Sequence, residues 1–206
     1  PHDIRKFALE MEYQPCNQGN WPGERTLHLN EQARPFMDYL VKILGRIGRI
    51  TYSQHVNKKQ IDITANFQII RPMDEDASSI YNRGFVHHDH IIDNNHMVDL
   101  TGIVYLNEHA RAECGTSLYQ VKPGIDTVYT AVDIKKPFYF KHQRKKIEGF
   151  DQKLKMHYDQ FTETQVFRHR FNRLVTFDSR YWHGVNSFHT GQPEARLTLV
   201  FFMSFL

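Results

Sequence analysis

Phe85-Val86-His87-His88-Asp89-His90 is the stretch from which the fold and the chemistry of this chain can be read. Residues two apart in an extended strand point to the same face, so His87 and Asp89 bring an imidazole and a carboxylate together. His88 and His90 alternate to the opposite face, and we interpret them as surface or supporting groups. His-x-Asp alone is weak evidence, because the chain has 13 His and 23 Asp or Glu. It indicates a metal site only with a third ligand.

A second stretch, Phe177-Asp178-Ser179-Arg180-Tyr181-Trp182-His183-Gly184-Val185, offers that ligand in His183. It follows an apolar run, so His183 could arrive from a strand beside His87 and Asp89. Two His and one carboxylate form a facial triad, which leaves positions on Fe(II) open for other ligands. With only two Cys in the chain, a thiolate zinc cluster is excluded.

The remaining candidate groups are a few His and one Arg. We expect His96 and His169 to be solvated or satisfied in the core, and His189 is the reserve ligand if His183 is misassigned. Arg196 and Thr198 follow a turn and share one strand face, where a guanidinium and a hydroxyl could clamp a carboxylate. The alternative is that Arg196 ends a strand in solvent, as most Arg do.

Short β-rich runs fill the chain from Ile61 onward, separated by Pro and Gly. This texture predicts a sandwich or barrel. The runs are Ile61 to Ile70, Val98 to Leu106, Ser117 to Val121, Val166 to Phe171, Leu174 to Phe177 and Leu197 to Phe205.

One amphipathic helix precedes the strands. Asn30 is its predicted N-cap and Gly45 its end. Apolar residues recur at helical spacing between them, at Ala33, Phe36, Met37, Leu40, Val41 and Leu44. We therefore interpret residues 1–60 as helical support for a core that spans 61–206.

A basic segment interrupts the predicted strands. Between Lys135 and Gln160 eight Lys or Arg stand against three Asp or Glu. We interpret it as a largely helical, solvated insertion. The acidic loop from Met73 to Phe85 runs into the His87 strand, and we expect the loop and the insertion to border a substrate entrance, drawn together by opposite charge. The alternative is two independent solvated segments.

Composition bounds the class of protein. With 206 residues, 40% hydrophobic residues and 24% charged residues, the chain is long and apolar enough for one folded domain over 1–206, and disorder is excluded as its main state. The formal net charge of +3 does not demand nucleic acid. The most apolar run, Leu197 to Leu206, is too short for a membrane helix. We expect a cytoplasmic protein, and nothing in the sequence indicates an oligomeric state.

Five motifs in order give the chain a resemblance to a known superfamily. They are His87-His88-Asp89, Tyr105-Leu106-Asn107, Gly115-Thr116-Ser117-Leu118-Tyr119, the stretch from Phe177 to Val185, and Arg196-Leu197-Thr198. From about Ile61 to Leu206 the chain resembles the Fe(II)/2-oxoglutarate-dependent oxygenases, especially their prolyl-hydroxylase-like branch. It departs from them at Thr116, where a second Gly is usual, and in the basic insertion.

The resemblance implies a mainly β fold, a double-stranded β-helix or jelly roll of cupin-like type. It implies His87, Asp89 and His183 as iron ligands, Arg196 with Thr198 as partners of the distal carboxylate of 2-oxoglutarate, and Tyr105 as a further hydroxyl on that carboxylate. A buried structural role for Tyr105 is the alternative. The implied cofactors are Fe(II), 2-oxoglutarate as cosubstrate and O2.

The implied reaction is hydroxylation of a C–H bond with release of succinate and CO2. Halogenation is disfavoured because Asp89 fills the carboxylate position. The expected substrate is an amino acid, a peptide or a small metabolite, although fold analogy does not fix a substrate. Two other functions stay open, a non-catalytic cupin-like binding module and a nucleic-acid oxidative demethylase. The second is disfavoured because Leu197 to Leu206 contains no Arg.

Overall fold

The computed structural model describes residues 2–15, 21–52, 61–89, 91–92, 96–125, 132–140, 145 and 147–205. Its helices are α1 (His2–Glu10), α2 (Leu29–Gln32), α3 (Arg34–Tyr52), α4 (Val132–Tyr139) and α5 (Phe150–Asp159). Its strands are β1 (Gln14–Pro15), β2 (Glu24–Arg25), β3 (Ile61–Ile70), β4 (Ile91–Ile92), β5 (His96–Met97), β6 (Leu100–Tyr105), β7 (Thr116–Val121), β8 (Phe161–Phe167), β9 (Leu174–Asp178), β10 (Trp182–Val185) and β11 (Arg196–Phe205).

Two antiparallel sheets form the core of the molecule. The major sheet has the order β1-β2-β3-β11-β6-β9, and the minor sheet has the order β10-β7-β8. Strands that are distant in the chain lie next to each other, as β3, β11 and β6 do. This mainly β arrangement confirms the predicted jelly-roll class.

The two faces of the major sheet differ in chemistry because side chains alternate along each strand. On β11 the odd-numbered residues Leu197, Leu199, Phe201 and Met203 join one apolar cluster with α1, α2 and α3. The even-numbered residues include Arg196, Val200 and Phe202, which line a cavity between the sheets. The N-terminal helices therefore cover the outer face and leave the inner face to the site.

Gly102 in β6 shows how tightly that outer face is packed. A Cβ at this position would lie 1.9 Å from a ring carbon of Phe201 on the neighbouring strand. The aromatic ring occupies the space that any larger residue would need. Glycine at 102 thus permits the close packing of β6 against β11.

The helix was predicted to begin after an N-cap at Asn30 and to end at Gly45, and the structure differs from this prediction at both ends. It is broken at Ala33 into α2 and α3, because a continuous helix would place Pro35 in its interior, where the missing N–H and the ring are disruptive. Asn30 is not the N-cap, and its Nδ2 donates to the Ile63 carbonyl at 2.6 Å. Gly45 stays helical and α3 runs on to Tyr52. Val41, predicted to face the core, is exposed.

The strand predicted over Val166 to Phe171 lies earlier, at Phe161–Phe167. β8 is the edge strand of the minor sheet, and most of its residues are exposed and polar. Its sequence therefore lacks the apolar residues by which the other strands were predicted. The chain turns after it, and Asn172 takes a positive φ of 60°. The other predicted strands are confirmed to within two residues at their ends.

The described part of the basic insertion consists mainly of helices, which agrees with the prediction there, but it is not simply a solvated face. α4 and α5 bury Phe138, Phe150, Leu154 and Tyr158 in an apolar cluster against the minor sheet. These apolar residues stand among many Lys and Arg in the sequence, so the buried face of the helices could not be recognised from the charge pattern. None of the helices among the described residues combines the length and apolar character that a membrane span needs.

Candidate metal centre

The three predicted ligands converge at one end of the cavity. Nε2 of His87 lies 3.4 Å from Oδ1 of Asp89, and Nε2 of His183 lies 3.1 Å from Oδ2 of the same carboxylate. One ligand atom from each residue falls within 4.8 Å of the other two. Among the described residues this is the one group of His, Cys, Asp and Glu with the spacing of a metal site.

Backbone pairing holds the two histidines side by side. The His87 N–H donates to the His183 carbonyl at 2.9 Å, and the His183 N–H donates to the His87 carbonyl at 2.7 Å. This reciprocal pair is the narrow hydrogen-bonded pair of an antiparallel ladder, and it sets the two rings 4.5 Å apart between centroids. The minor sheet fixes the other side, where His183 pairs with Leu118.

Neighbouring carbonyls select the tautomer of each imidazole. Nδ1 of His87 lies 2.8 Å from the Phe85 carbonyl, and Nδ1 of His183 lies 3.0 Å from the Tyr181 carbonyl. A carbonyl can only accept, so each Nδ1 carries a proton and Nε2 is the ring atom that faces Asp89 and is available to a metal. This is the outer-sphere support that metal-ligating histidines usually have.

Hydrogen bonds to neighbouring residues also orient Asp89. Thr101 Oγ1 donates to Asp89 Oδ2 at 3.1 Å, and the Asp89 N–H donates to the Ser179 carbonyl at 3.0 Å. The adjacent His183 and His87 hold the pKa of Asp89 well below its usual value against the effect of burial. Burial, with His183 second, lowers the pKa of His87 to about 4. A neutral His87 and an ionised Asp89 are the forms that bind a metal.

Helix α5 holds the backbone that leads into His87. His157 Nε2 lies 2.9 Å from the Val86 carbonyl, and its ring stacks on Phe85 at 3.9 Å between centroids. The Tyr158 hydroxyl donates to the carbonyls of Arg83 and Gly84 at 3.2 Å each. The insertion therefore supports the ligand strand through hydrogen bonds and ring packing.

We expect His157→Leu to destabilise the protein, because the buried Val86 carbonyl would lose its donor. The expected cost is about 1–3 kcal/mol in the free energy of unfolding, measured by urea denaturation of the metal-free protein. Met156→Leu, on the exposed side of the same helix turn, is the matched control. Equal unfolding midpoints for the two variants would contradict the assigned role of His157.

Arg196 lies deeper in the same cavity and is 2% exposed. Its Nε donates to the Cys114 carbonyl at 3.0 Å, while Nη2 is buried and has no hydrogen-bond partner. No carboxylate among the described residues pairs with it. Burial lowers the pKa of Arg196, but guanidinium groups remain charged in proteins. The sequence alternative, an Arg ending its strand in solvent, is wrong.

Thr198 and Tyr105 are placed differently from one another. Thr198 is fully buried on the Arg196 face of β11, and its Oγ1 has no hydrogen-bond partner. Tyr105 pairs with Thr198 across the sheet, but its hydroxyl donates to Thr116 Oγ1 at 3.0 Å, and Thr116 is the residue that lines the cavity. The contacts of Tyr105 are therefore those of a buried structural residue, which was the alternative to a role in cosubstrate binding. Thr116 is a polar group that the sequence argument noted only as a departure from Gly.

The other histidines that the structure describes are not grouped with these ligands. His88 is exposed, lines the cavity and contacts the Trp182 ring. His169 is buried, with Nε2 at 2.9 Å from the Asn107 carbonyl. His189 Nδ1 accepts from the Gly191 N–H at 3.3 Å, and His189 is not part of the group formed by His87, Asp89 and His183. His90 and the side chain of His96 lie outside the described residues.

The cavity has a volume of about 890 Å³, large enough for more than one small molecule. Val200, Phe202 and Ile103 add apolar side chains to the lining that also contains the triad and Arg196. A further wall comes from Trp21 and Arg25, in the N-terminal region. The sequence contained no signal for their role, because their approach to the site depends on the pairing of β2 with β3.

Comparison with solved structures finds proteins of similar fold. A prolyl-4-hydroxylase from Pseudomonas putida aligns over 100% of this chain and 88% of its own, with 14% identity and a TM-score of 0.54. The chain has the fold of the Fe(II)/2-oxoglutarate oxygenases. The predicted resemblance is therefore confirmed at the level of the fold.

Two other oxygenases share the fold. HygX from Streptomyces hygroscopicus, solved with nickel and 2-oxoglutarate, aligns over 98% of this chain and 77% of its own, with 10% identity and a TM-score of 0.54. SnoK, a non-heme α-ketoglutarate-dependent carbocyclase from nogalamycin biosynthesis, aligns over 98% and 72%, with 11% identity and a TM-score of 0.54. No protein-family model and no curated protein matches the sequence.

Proposed function

We propose that this protein is an Fe(II)- and 2-oxoglutarate-dependent oxygenase that hydroxylates a C–H bond of an amino acid, a peptide or a small metabolite, with release of succinate and CO2. The observation that carries the proposal is the buried Arg196, which has no carboxylate partner among the described residues and lines the cavity that also contains His87, Asp89 and His183. A metal centre alone is compatible with many jelly-roll proteins. A metal centre with a buried, unsatisfied cation favours a cosubstrate that has both a chelating end and an anionic end.

The residues present fit iron and 2-oxoglutarate. The two imidazole Nε2 atoms and one Asp89 oxygen form the donor set of a facial triad and leave room on the metal for further ligands. The Nη2 group of Arg196 and the hydroxyl of Thr198 are both buried and have no hydrogen-bond partner in the part of the chain that the structure describes, and a carboxylate oxygen would satisfy them. When bound, the iron with 2-oxoglutarate and O2 supplies the oxidising chemistry.

The protein's own residues contribute binding and orientation. Arg196 neutralises the distal carboxylate of the cosubstrate, and its Nε, bound to the Cys114 carbonyl, keeps the guanidinium plane fixed. Thr101 fixes Asp89, and the Phe85 and Tyr181 carbonyls fix the imidazoles, so that no ligand has to reorient on loading. Ile103, Val200 and Phe202 give the same cavity an apolar part of its lining.

The relatives are compatible with more than one outcome of oxygenase chemistry. They include a prolyl-4-hydroxylase and a carbocyclase. We propose hydroxylation because the site supplies a carboxylate ligand at Asp89 and contains a complete triad. A peptide or small-molecule substrate fits the cavity, which is a concave site between two sheets. The cytoplasmic location stays a prediction.

Anaerobic titration of the protein with Fe(II) and then 2-oxoglutarate tests the proposal. We expect a weak metal-to-ligand charge-transfer band in the visible, which appears only when both are present. On admission of air, succinate should form slowly even without a substrate. Tight Fe(II) binding with no band at millimolar 2-oxoglutarate would overturn the proposal. A band without any succinate would instead support the binding-module alternative.

A further inference from the structure

Asp62 is the one carboxylate in the described lining of the cavity that does not belong to the metal centre. We propose that Asp62 determines substrate specificity by pairing with a cationic nitrogen group of the substrate, an ammonium or a guanidinium. This inference rests on the proposed function and names the chemical class of its substrate.

The alternation of β3 directs Asp62 into the cavity. The odd-numbered residues Ile63, Ala65 and Phe67 pack in the apolar cluster with the N-terminal helices. The even-numbered residues line the cavity, and they are Asp62, Thr64, Asn66, Gln68 and Ile70. The inner face of β3 is therefore polar at four successive positions, and Asp62 is the one of these four that carries a charge.

Strand register places Asp62 and Arg196 at opposite ends of the inner face of the major sheet. Arg196 pairs with Ile70, whereas Asp62 pairs with Ser204. The eight residues from Ile70 to Asp62 correspond to about 27 Å along the strand. A group bound to Arg196 is therefore distant from Asp62.

The metal centre lies between these two ends and nearer to Asp62. Thr101, whose hydroxyl donates to Asp89, lies in one row with Thr64 across β6, β11 and β3. That row is two residues from the row of Asp62 and six residues from the row of Arg196. The Cα atoms of Thr101 and Asp62 are thus separated by about 12 Å. A cosubstrate that reaches from the metal to Arg196 extends away from Asp62 and leaves its carboxylate open to a substrate.

The Asp62 carboxylate has no ion-pair partner among the described residues. Ser204, its neighbour in the row, directs its hydroxyl to the Met97 carbonyl at 2.6 Å instead. Asp62 is partly buried, so an ion pair there is less screened by salt than one on an open surface. A substrate cation can therefore gain a charge-assisted hydrogen bond at this position.

Two further oxygen atoms next to Asp62 favour the same class of ligand. The Thr64 hydroxyl has no hydrogen-bond partner in the described part of the chain. Asn66 is 6% exposed, and its Nδ2 donates to the Thr26 carbonyl at 2.9 Å, so its Oδ1 is left as an acceptor toward a ligand. Ammonium and guanidinium groups contain donors and no acceptor. Carboxylate, hydroxyl and amide oxygens in succession along one strand match such a group and disfavour an anion.

Arg25, a cation of the same cavity, lies away from Asp62. It pairs with Gln68 across β2 and β3, and its Nη2 donates to Gln68 Oε1 at 3.5 Å. Gln68 is six residues from Asp62, or about 20 Å along β3. Arg25 and Arg196 thus lie toward one end of the sheet face and the Asp62 carboxylate at the other, which would orient a cationic substrate with its charge away from the cosubstrate.

The test compares ligands that differ in one charge while 2-oxoglutarate is bound. The protein is loaded anaerobically with Fe(II) and saturating 2-oxoglutarate and is titrated by calorimetry. The probe pairs are N-acetyl-lysine amide against N-acetyl-norleucine amide, and N-acetyl-arginine amide against N-acetyl-citrulline amide. We expect at least one cation to bind about five-fold or more tightly than its neutral partner, the difference that one partly exposed ion pair supplies. Wild-type protein that binds no probe, or binds both members of each pair equally, would overturn the proposal.

The Asp62→Asn variant should abolish the preference for the cation, while Asp62→Glu should keep part of it. Asp99→Asn is the matched control, because Asp99 is exposed, lies outside the cavity lining and is at the same end of the sheet, where its N–H donates to the Met203 carbonyl at 2.9 Å. A preference retained in Asp62→Asn, or lost equally in Asp99→Asn, would contradict the assigned role of Asp62.

Iron and 2-oxoglutarate binding separate the possible failures. Asp62→Asn should keep the wild-type iron content and 2-oxoglutarate affinity, because Asp62 belongs to neither site, and this result also shows that the variant is folded. If the wild-type protein does not bind 2-oxoglutarate at all, the proposed function fails. If it binds 2-oxoglutarate but does not distinguish cations from their neutral partners, the role of Asp62 alone fails.

Discussion

Loss of bound iron is the expected result of replacing any one of His87, Asp89 and His183 with Ala. Each residue supplies one of three donor atoms that lie within 4.8 Å of one another, and two donors alone hold Fe(II) weakly. We expect the Fe(II) affinity to fall by a factor on the order of 100 or more, beyond the 10–100-fold range typical of losing an outer-sphere partner. Metal content after gel filtration of the reconstituted variants measures the effect.

His189→Ala is the control for that experiment. His189 was the reserve ligand in the sequence argument, and its Nδ1 accepts from the Gly191 N–H instead of joining the triad. We expect wild-type iron content in this variant. Full iron content in the Asp89→Ala or His183→Ala variants would contradict the assigned ligands. Loss of iron in His189→Ala would restore the reserve assignment.

Much of this site could be predicted from sequence because its signals are local. His87 and Asp89 are two apart on one strand, and Arg196 and Thr198 are two apart on another, so each pair shares a face by alternation alone. The convergence of the two halves depends on the reciprocal backbone pairing of His87 with His183, which no local pattern encodes. The ordered motifs of the resemblance supplied that connection.

Other features could not be predicted because they depend on tertiary contacts. Trp21 and Arg25 reach the cavity only through the pairing of β2 with β3. The exposed edge strand Phe161–Phe167 lacks an apolar face, so its strand character comes from pairing with β7. The Tyr105 hydroxyl is directed to Thr116, a choice set by side-chain packing inside the sandwich.

The loop from Met73 to Phe85 contacts the described part of the basic insertion through Tyr81. Tyr81 stacks on Phe150 with centroids 6.4 Å apart, and its hydroxyl donates to Asp151. Asp74 is used within the loop, where Oδ2 accepts from the Ser79 hydroxyl at 3.1 Å. The ring and the hydroxyl of Tyr81 thus join the two segments. Their closure over a substrate stays a prediction.

Replacing Arg196 with Met should have opposite effects on cosubstrate binding and on the stability of the empty protein. The variant removes the one buried cation that the proposed function assigns to the distal carboxylate, so we expect 2-oxoglutarate affinity to fall by a factor on the order of 100 or more, equivalent to about 3 kcal/mol. Iron binding should be unchanged, because no triad residue contacts Arg196 through a described hydrogen bond.

The stability of the empty protein gives the same substitution a second readout. A buried charge without an anionic partner is costly, and an apolar residue of similar length removes that cost. We therefore expect Arg196→Met to unfold at an equal or higher urea concentration than the wild type without ligand, and to gain no stability from added 2-oxoglutarate. Arg196→Lys should recover only part of the affinity, since an ammonium group cannot form the two-pronged contact. Wild-type 2-oxoglutarate affinity in Arg196→Met would show that another cation binds the carboxylate. Arg25 and Lys135 line the cavity, whereas Arg180 is exposed and pairs with Asp178.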